Sequence, residues 1–195
     1  MWVSAAAFVL LSAAVGAGLV LPLDALILRL AQSRISHAAD SISYYFSVLG
    51  EVQYLGTATL LFSAALAFTG RRELGLRLLA AFVATGLLEL AMKFRLPSVA
   101  LPEVTARSSD ETPLVEIAHP YPYPSGHMLR AAILLGAAFI LWPNKTIRTI
   151  IVALLAGMAA TRLYLGVHWF SDVVGGVLLG VAGVAWTIRK RKGAA

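Results

Sequence analysis

Long apolar stretches with almost no charged residue dominate this chain and restrict what it can fold into. The first covers residues 2–21 and holds no charge at all, and a helix of roughly 20 such residues can cross a bilayer. Of the 195 residues, 59% are hydrophobic and 13% are charged, whereas about a quarter of a soluble domain is charged. The sequence therefore predicts an all-α integral membrane protein with one membrane domain over residues 1–195.

The apolar stretches predict a bundle of about six transmembrane helices joined mostly by short turns. A signal peptide is the competing interpretation of the first stretch. That stretch lacks a basic n-region and further spans follow it, so we expect a retained helix that ends at Pro22. The other predicted spans cover residues 52–68, 76–92, 125–142, a stretch that ends near residue 165, and residues 168–188.

Two segments are too polar to cross the membrane. Around residues 24–43, Leu23, Leu26 and Leu30 recur at helical spacing, and Asp24 and Arg29 lie between them in the sequence. This pattern is typical of an amphipathic helix that lies at the membrane interface. Residues 93–123 hold five prolines and four acidic residues, so they must lie outside the hydrocarbon, and we expect a long extracytoplasmic loop there.

The basic residues predict the orientation of the bundle. Turns at residues 70–73 and 143–148 and the terminal run at residues 189–192 are basic, and all fall on one side of the predicted spans. Because such residues accumulate on the cytoplasmic side, we expect a multi-pass protein of the cell membrane with both termini in the cytoplasm. The net charge of +6 then reflects contact with anionic lipid instead of nucleic acid. The absence of cysteine excludes thiolate metal sites and a cysteine nucleophile.

A polar motif opens the fourth predicted span. Residues 120–127 read Pro-Tyr-Pro-Tyr-Pro-Ser-Gly-His. Ser125 can cap a helix start, and Gly126 lets the backbone approach a ligand closely. The free N–H groups at such a start favour an anion, and His127 would lie beside that anion in the first turn.

A second polar cluster lies between the fifth and sixth predicted spans. His168 and Asp172 are four residues apart, which puts them on one face of a helix. The carboxylate can hold the proton of one imidazole nitrogen, so that the other nitrogen is free as a nucleophile or base. Arg162 ends the preceding span, and its guanidinium suits a phosphate. Both clusters are expected at the extracytoplasmic face.

These two motifs resemble the second and third signatures of the type 2 phosphatidic acid phosphatase family. The matching residues are Pro124-Ser125-Gly126-His127 and Arg162-x5-His168-x3-Asp172, with Thr161 where serine is usual. The resemblance covers the chain from about residue 21 to its end. It implies a six-helix membrane fold related to the vanadium haloperoxidases, and chemistry without a metal ion.

The resemblance also implies a role for each residue of the motifs. His168 would be the nucleophile that forms a phosphohistidine, and Asp172 would orient it. His127 would protonate the leaving group. Arg162 and the backbone of Ser125 and Gly126 would hold the phosphate.

The first signature of the family, a lysine followed after six residues by Arg-Pro, is altered. Lys93 matches the lysine, but Ala100 stands where the arginine is expected. Arg95 and Arg130 are the candidates to replace it. We favour Arg130, which lies three residues after His127 and is tolerable in a span only where it faces a polar cavity.

The residues and the resemblance together predict an enzyme that hydrolyses a lipid phosphate or lipid diphosphate without a cofactor. Undecaprenyl diphosphate is the preferred substrate, as in phosphatases of the bacitracin-resistance type, because the chain is small and its site faces outward. Phosphatidic acid and phosphatidylglycerophosphate are the alternatives. A lipid phosphotransferase would carry the same motifs, and a small membrane carrier or an inactive relative are further alternatives. The expected partners are membrane lipids, with no nucleic acid and no obligate protein.

Several other polar and aromatic residues receive structural interpretations. His37 and His119 are expected to be interfacial polar groups, and Glu89 is expected to pair with Lys93, four residues later. Aromatic residues at the predicted interfaces are expected in the headgroup belt, and lining the lipid entrance is the alternative for Tyr121, Tyr123 and Trp169. Small glycines in the last two spans are expected to permit close helix packing. The aromatic residues are Tyr44, Tyr45, Tyr54, Tyr121, Tyr123 and Trp169, and the glycines are Gly157, Gly175, Gly176 and Gly180.

Overall fold

The computed structural model describes residues 2–102 and 119–189, and over these ranges it contains eight α-helices and no strand. The all-α class predicted from the sequence is therefore confirmed. The acidic residues Glu103, Asp110, Glu111 and Glu116 and the end of the terminal basic run lie outside the described residues. The helices are α1 (Trp2–Gly16), α2 (Leu21–Ala31), α3 (His37–Gly50), α4 (Val52–Phe68), α5 (Arg72–Arg95), α6 (Gly126–Leu141), α7 (Lys145–Tyr164) and α8 (Phe170–Thr187).

Several of these helices are apolar enough to lie in a membrane. Within the described residues, α5, α7 and α8 are long and apolar enough to cross a bilayer by themselves. Helices α1 and α2 pass the same test together but are bent by 93°. Helices α4 and α6 are apolar and shorter. The protein is therefore membrane-embedded, and the count of six spans stays a prediction.

The first predicted span ends earlier than expected. Helix α1 stops at Gly16, and Gly18 adopts a positive φ of 70° in the turn that follows, a conformation that favours glycine. Pro22 does not end α1 but lies in the first turn of α2, where its missing N–H costs no helical hydrogen bond. The chain therefore bends sharply before α2.

The single interfacial helix predicted over residues 24–43 was wrong, because the chain forms two helices, α2 and α3, with a break between them. Ser33 Oγ donates to the Leu30 carbonyl at 2.7 Å, and Ser36 Oγ accepts from the Ala39 N–H at 3.2 Å. Serine side chains compete in this way with the helical ladder. The hydrogen bond of Ser33 lies at the end of α2, and the hydrogen bond of Ser36 caps the start of α3.

Asp24 is buried and joins α2 to α8, whereas the polar face of an interfacial helix would expose it to solvent. It is only 3% exposed. Its Oδ1 accepts from the Ser171 N–H at 2.8 Å, and its Oδ2 accepts from Ser171 Oγ at 2.7 Å. A carboxylate that accepts from the first N–H groups of a helix stabilises the start of that helix. Helix α2 thereby fixes the first turn of α8.

Helices α6 and α8 pack closely because α8 presents small residues to α6. An added Cβ at Gly176 would collide with the Ser125 carbonyl oxygen, and one at Gly180 would lie 2.6 Å from the Ala132 Cβ. The predicted role of these glycines in close packing is therefore confirmed. Tyr123 fills the space over Gly175. It is fully buried and its hydroxyl lies 3.0 Å from Ser12 Oγ, so its assignment to the headgroup belt was wrong.

The arrangement of the helices brings the polar motifs to one end of the bundle. Lys93 lies in the last turn of α5, His127 in the first turn of α6, Arg162 in the last turn of α7, and His168 just before α8. At the opposite end, Arg77 Nη1 near the start of α5 donates to the Arg189 carbonyl after α8 at 2.7 Å. Basic turns and polar motifs therefore occupy opposite ends, as the predicted topology requires.

Candidate active site

A backbone hydrogen bond joins the two polar motifs. The Ser125 N–H donates to the Asp172 carbonyl at 3.0 Å. Because Ser125 precedes α6 and Asp172 lies in the first turn of α8, this bond holds the starts of the two helices against each other. The residues that the sequence assigned to two separate clusters therefore form one site.

His168 and Asp172 form a buried hydrogen-bonded pair. The Nδ1–H of His168 donates to Asp172 Oδ2 at 3.3 Å, and the Trp169 N–H donates to the same oxygen at 2.8 Å. Asp172 is fully buried. Burial lowers the pKa of His168, and the hydrogen bond and negative charge of Asp172 oppose that shift. The imidazole therefore stays neutral to lower pH than an ordinary histidine, with Nε2 as its unprotonated nitrogen.

Trp169 anchors the turn that carries this pair. Its Nε1–H donates to the Val99 carbonyl at 2.7 Å, and the residue is 6% exposed. Its assignment to the headgroup belt was therefore wrong, because a buried tertiary hydrogen bond holds the indole. The contact ties the start of α8 to the segment after α5.

Arg162 lies inside the protein next to His168. It is 3% exposed in the last turn of α7, so it does not snorkel to the surface. The positive charges of Lys93 and Arg162 both lower the pKa of His168. His127 is also within electrostatic range of Arg162 and His168. Cations from α5 and α7 thus lie within electrostatic range of His168, which favours the binding of an anion there.

Ser125 can offer its side-chain hydroxyl to a ligand, but not the backbone N–H that the motif predicts. It occupies the N-cap position of α6, but its side chain makes no capping hydrogen bond. Its N–H is already used by the Asp172 carbonyl, which removes it from the amides predicted to hold a phosphate. Ser125 Oγ is buried without a hydrogen-bond partner in the part of the chain that the structure describes. A buried hydroxyl of this kind is available to a ligand.

A cavity of about 410 Å³ lies between α4, α5 and α6 at the same end of the bundle. Glu89 joins two cations of its wall. Its Oε1 lies 3.2 Å from Lys93 Nζ, and its Oε2 lies 3.2 Å from Arg130 Nη1. The predicted pairing of Glu89 with Lys93 is therefore confirmed. Arg130 faces a polar cavity, as a charged side chain in an apolar helix requires. Arg95, the other candidate for the missing arginine, is exposed at the end of α5.

His119 belongs to this cavity, contrary to its prediction as an interfacial group. Its Nε2 lies 3.2 Å from Lys93 Nζ. Partial burial and then the Lys93 charge lower the pKa of His119. No local pattern predicts this contact, since 26 residues separate His119 from Lys93 and only the fold brings them together.

His127 is held by α3, another contact that the sequence did not indicate. Its Nε2–H donates to the Ser47 carbonyl at 3.2 Å. An added Cβ at Gly50 would collide with His127 Cδ2 and would lie 3.1 Å from Cγ. The missing side chain of Gly50 therefore makes the space in which the His127 ring lies.

We expect Gly50→Ala to slow turnover, because the new methyl group displaces the His127 ring. A displacement of about 1 Å can lower a rate about 100-fold, so we expect kcat to fall about 10- to 100-fold. Gly56→Ala is the matched control, since a Cβ there comes no closer than 3.5 Å to Phe82. The measurement is kcat for phosphate release. Equal rates for both variants would contradict the role given to Gly50.

The acidic and imidazole side chains of residues 2–102 and 119–189 form no group of three that could hold a metal ion. The ionisable residues of the site form one pair, His168 with Asp172, and one group of three, in which Glu89 lies between Lys93 and Arg130. This arrangement provides an oriented imidazole, a second imidazole and several cations around it. It can perform nucleophilic displacement on a phosphorus atom.

Comparison with known proteins gives a family and a fold. The chain matches the sequence model of the PAP2 superfamily over residues 74–194. It is also similar to a crystal structure described as the first transmembrane PAP2 type phosphatidylglycerolphosphate phosphatase, from Bacillus subtilis. That match has a TM-score of 0.70 and 24% sequence identity, and it covers 94% of this chain and 92% of the other. At this identity the likeness shows the fold alone. No curated protein matches the chain.

Proposed function

The chain belongs to the PAP2 superfamily, and from this premise we propose that it is a phosphatase of lipid phosphates that acts through a phosphohistidine on His168. The observation that carries the proposal is the buried pair of His168 and Asp172. A carboxylate that holds the proton on Nδ1 leaves the lone pair of Nε2 free to attack phosphorus.

In the first step, His168 Nε2 attacks the phosphorus atom and the bond from phosphorus to the leaving oxygen breaks. The leaving oxygen takes a proton from His127. Because Nε2–H of His127 donates to Ser47, Nδ1 is the nitrogen that exchanges this proton. Arg162, Lys93 and the Ser125 hydroxyl hold the phosphate oxygens, together with the Gly126 N–H at the start of α6.

In the second step, water attacks the phosphohistidine and gives its proton to His127. The phosphorus–nitrogen bond breaks, inorganic phosphate leaves, and His168 returns to its neutral form. Asp172 keeps the imidazole in one orientation throughout, as the buried aspartate does in other histidine-based mechanisms. This sequence uses only groups of the chain and water.

The cavity supports an amphipathic substrate. Its wall combines Lys93, His119 and Arg130 with the apolar side chains Phe82 and Ile133, so a charged headgroup and the start of a hydrocarbon chain both find matching surfaces. The candidates are undecaprenyl diphosphate, phosphatidic acid and phosphatidylglycerophosphate. The Bacillus subtilis neighbour is described as a phosphatidylglycerolphosphate phosphatase, which supports the inclusion of the last of these.

The topology that fits this function has six spans, with α2 and α3 at the interface. We place the site on the extracytoplasmic side and both termini in the cytoplasm. The basic residues at the opposite end of the bundle support this orientation. Lipids would then reach the site from the outer leaflet.

The test of the proposed function is phosphate release by the detergent-purified protein in excess chelator, over the three candidate lipids. Turnover that resists the chelator supports hydrolysis by the residues of the chain. A phosphotransferase would transfer the group to an added lipid or sugar alcohol instead of water, and product analysis separates the two. A carrier would release no phosphate, and neither would an inactive relative, so the absence of release from every lipid would contradict the proposal.

We expect His127→Ala to slow turnover by an amount that depends on the leaving group. General acid catalysis contributes about 10²- to 10⁴-fold, and it matters most when the leaving oxygen is a poor leaving group. We therefore expect a larger fall in kcat with phosphatidic acid, which expels an alkoxide, than with a lipid diphosphate, which expels a phosphate. An equal fall with both substrates would contradict the role of His127 as the acid.

A further inference from the structure

Three charged side chains converge on Gly126, the first residue of α6. A Cβ at this position would collide with Glu89 Oε1, and it would lie 2.7 Å from Arg130 Nη2 and 2.8 Å from Nη1. Lys93 completes the group, because its Nζ lies 3.2 Å from the same oxygen of Glu89. The missing side chain of Gly126 therefore makes the space in which a carboxylate and a guanidinium lie against the start of α6.

The start of α6 is a position that favours an anion. The first N–H groups of a helix have no partner within the helix, and the helix dipole adds partial positive charge there. In this structure the anion at that position is the carboxylate of Glu89. Lys93 and Arg130 each lie 3.2 Å from one of its two oxygens. The carboxylate is therefore held by the kinds of group that bind a phosphate.

Two of these groups also hold the reacting phosphate in the proposed mechanism. There, Lys93 Nζ and the Gly126 N–H bind phosphate oxygens, and Glu89 Oε1 lies beside both residues. A phosphate oxygen and a carboxylate oxygen cannot occupy the same place, and their like charges repel each other. The phosphate must therefore displace Glu89 Oε1 before Lys93 can bind it.

Burial strengthens this competition between the two anions. Glu89 is 6% exposed and lies on the cavity wall with Lys93 and Arg130, so that solvent screens its charge poorly. Removal of the carboxylate would leave the two cations without the charge that compensates them. Because uncompensated buried charge is costly, the two cations would then bind an incoming anion more tightly.

We propose that Glu89 is an internal competitor of the reacting phosphate, which lowers the affinity of the site for substrate and for inorganic phosphate. The proposal rests on the proposed function and concerns the regulation of that site. When a phosphate group enters, Oε1 leaves Lys93 while Oε2 stays on Arg130. When hydrolysis is complete, Oε1 returns to Lys93 and displaces inorganic phosphate. The product can then leave a site that is rich in cations.

The test is Glu89→Gln, which keeps the size of the side chain and removes its charge. Inorganic phosphate is the probe, and its Ki is measured as an inhibitor of phosphatidic acid hydrolysis, followed by the diacylglycerol that forms. We expect the Ki for inorganic phosphate and the KM for phosphatidic acid each to fall at least about tenfold. A change of this size requires only part of the repulsion between two charges a few Å apart.

Glu73→Gln is the matched control for this variant. Glu73 also lies on α5 and also pairs with a cation four residues later, since its Oε1 lies 2.6 Å from Arg77 Nη2. Its place is the first turn of α5, whereas Lys93 is in the last turn. The control therefore removes the same charge from the opposite end of the helix. We expect it to leave both Ki and KM unchanged.

Thermal unfolding gives a second measurement that requires no turnover. A ligand that binds the folded state more tightly stabilises it more, so we expect phosphate to raise the Tm of Glu89→Gln more than that of the wild type. Sodium chloride at matched ionic strength controls for screening by salt. Glu89→Asp keeps the charge but withdraws the carboxylate by one methylene. We expect it to lower Ki about threefold, even if Glu89→Gln does not fold.

A folded Glu89→Gln variant with unchanged Ki and an unchanged response of Tm to phosphate would overturn the proposal, and so would equal effects in Glu73→Gln. A higher Ki would overturn it as well, since Glu89 would then serve to orient Lys93 and Arg130 for the phosphate. The absence of phosphate release from every lipid by the wild type would instead refute the proposed function, and the response of Tm to phosphate would still decide the role of Glu89.

Discussion

His168→Ala is expected to abolish phosphate release while the protein remains folded. The variant has no imidazole to attack phosphorus, and removal of a catalytic nucleophile lowers kcat by at least about 10⁴-fold. The side chain contacts Asp172 and packs at the start of α8, so its loss removes one buried hydrogen bond but no long-range anchor. The measurement is phosphate release from the best lipid substrate.

His37→Ala is the matched control for this variant. His37 is exposed at the start of α3, and its replacement should leave both turnover and thermal unfolding unchanged. Gel filtration and thermal unfolding of His168→Ala in the same detergent establish that the variant is folded. A folded variant that keeps more than about one hundredth of the wild-type rate would contradict the nucleophilic role, because alanine cannot accept a phosphoryl group.

Asp172→Asn is expected to lower kcat by about 10³- to 10⁴-fold with little change in KM, as in other histidine-based sites. Asp172 Oδ2 accepts from both His168 Nδ1–H and the Trp169 N–H. An amide oxygen in the place of Oδ2 can accept both hydrogen bonds, but it carries no negative charge, and the NH₂ group would take the place of the buried Oδ1. The imidazole would then lose the charge that orients it and stabilises the positive ring formed when phosphorus is attached.

Asp40→Asn provides the comparison for Asp172→Asn. Asp40 also lies in the first turn of a helix and accepts from the Tyr164 hydroxyl at 2.7 Å, but it belongs to α3. We expect its replacement to leave kcat within about threefold of the wild type, as is usual for substitutions that do not touch a reacting group. A fall of less than tenfold in Asp172→Asn would contradict the role given to the charge of the carboxylate.

The pairing of His168 with Asp172 could be predicted from spacing because it is local. Residues four apart at a helix start lie on one face, and the structure joins them at 3.3 Å. Glu89 and Lys93 follow the same rule. The order of the apolar stretches likewise predicted helices α4 to α8 closely, because long apolar runs have few alternatives to a helix in a membrane.

The contacts between distant segments could not be predicted from one sequence. Three contacts of the site exist only in the folded protein. They join His119 to Lys93, the His127 ring to Gly50, and Asp24 to the start of α8. No local pattern distinguishes these residues from interfacial polar groups or flexible turns. Ser125 shows the same limit, since its amide is the expected anion donor by motif but is used by the Asp172 carbonyl.

Two aromatic residues that were predicted at the membrane interface are buried inside the protein. Tyr123 and Trp169 have the chemistry of a headgroup belt, with an apolar ring and a polar tip. Both are buried, because Ser12 and the Val99 carbonyl provide hydrogen-bond partners inside the protein. Sequence alone does not reveal such partners.

The most direct test of the proposed mechanism is to trap the phosphoryl group on the protein. Purified protein would be mixed with a lipid substrate labelled in its terminal phosphate, quenched with alkali, in which phosphohistidine survives, and mapped by mass spectrometry of its peptides. We expect label on His168 within the first turnover and none in His168→Ala. Label on another residue, or complete phosphate release with no labelled protein at any time, would contradict a phosphohistidine on His168.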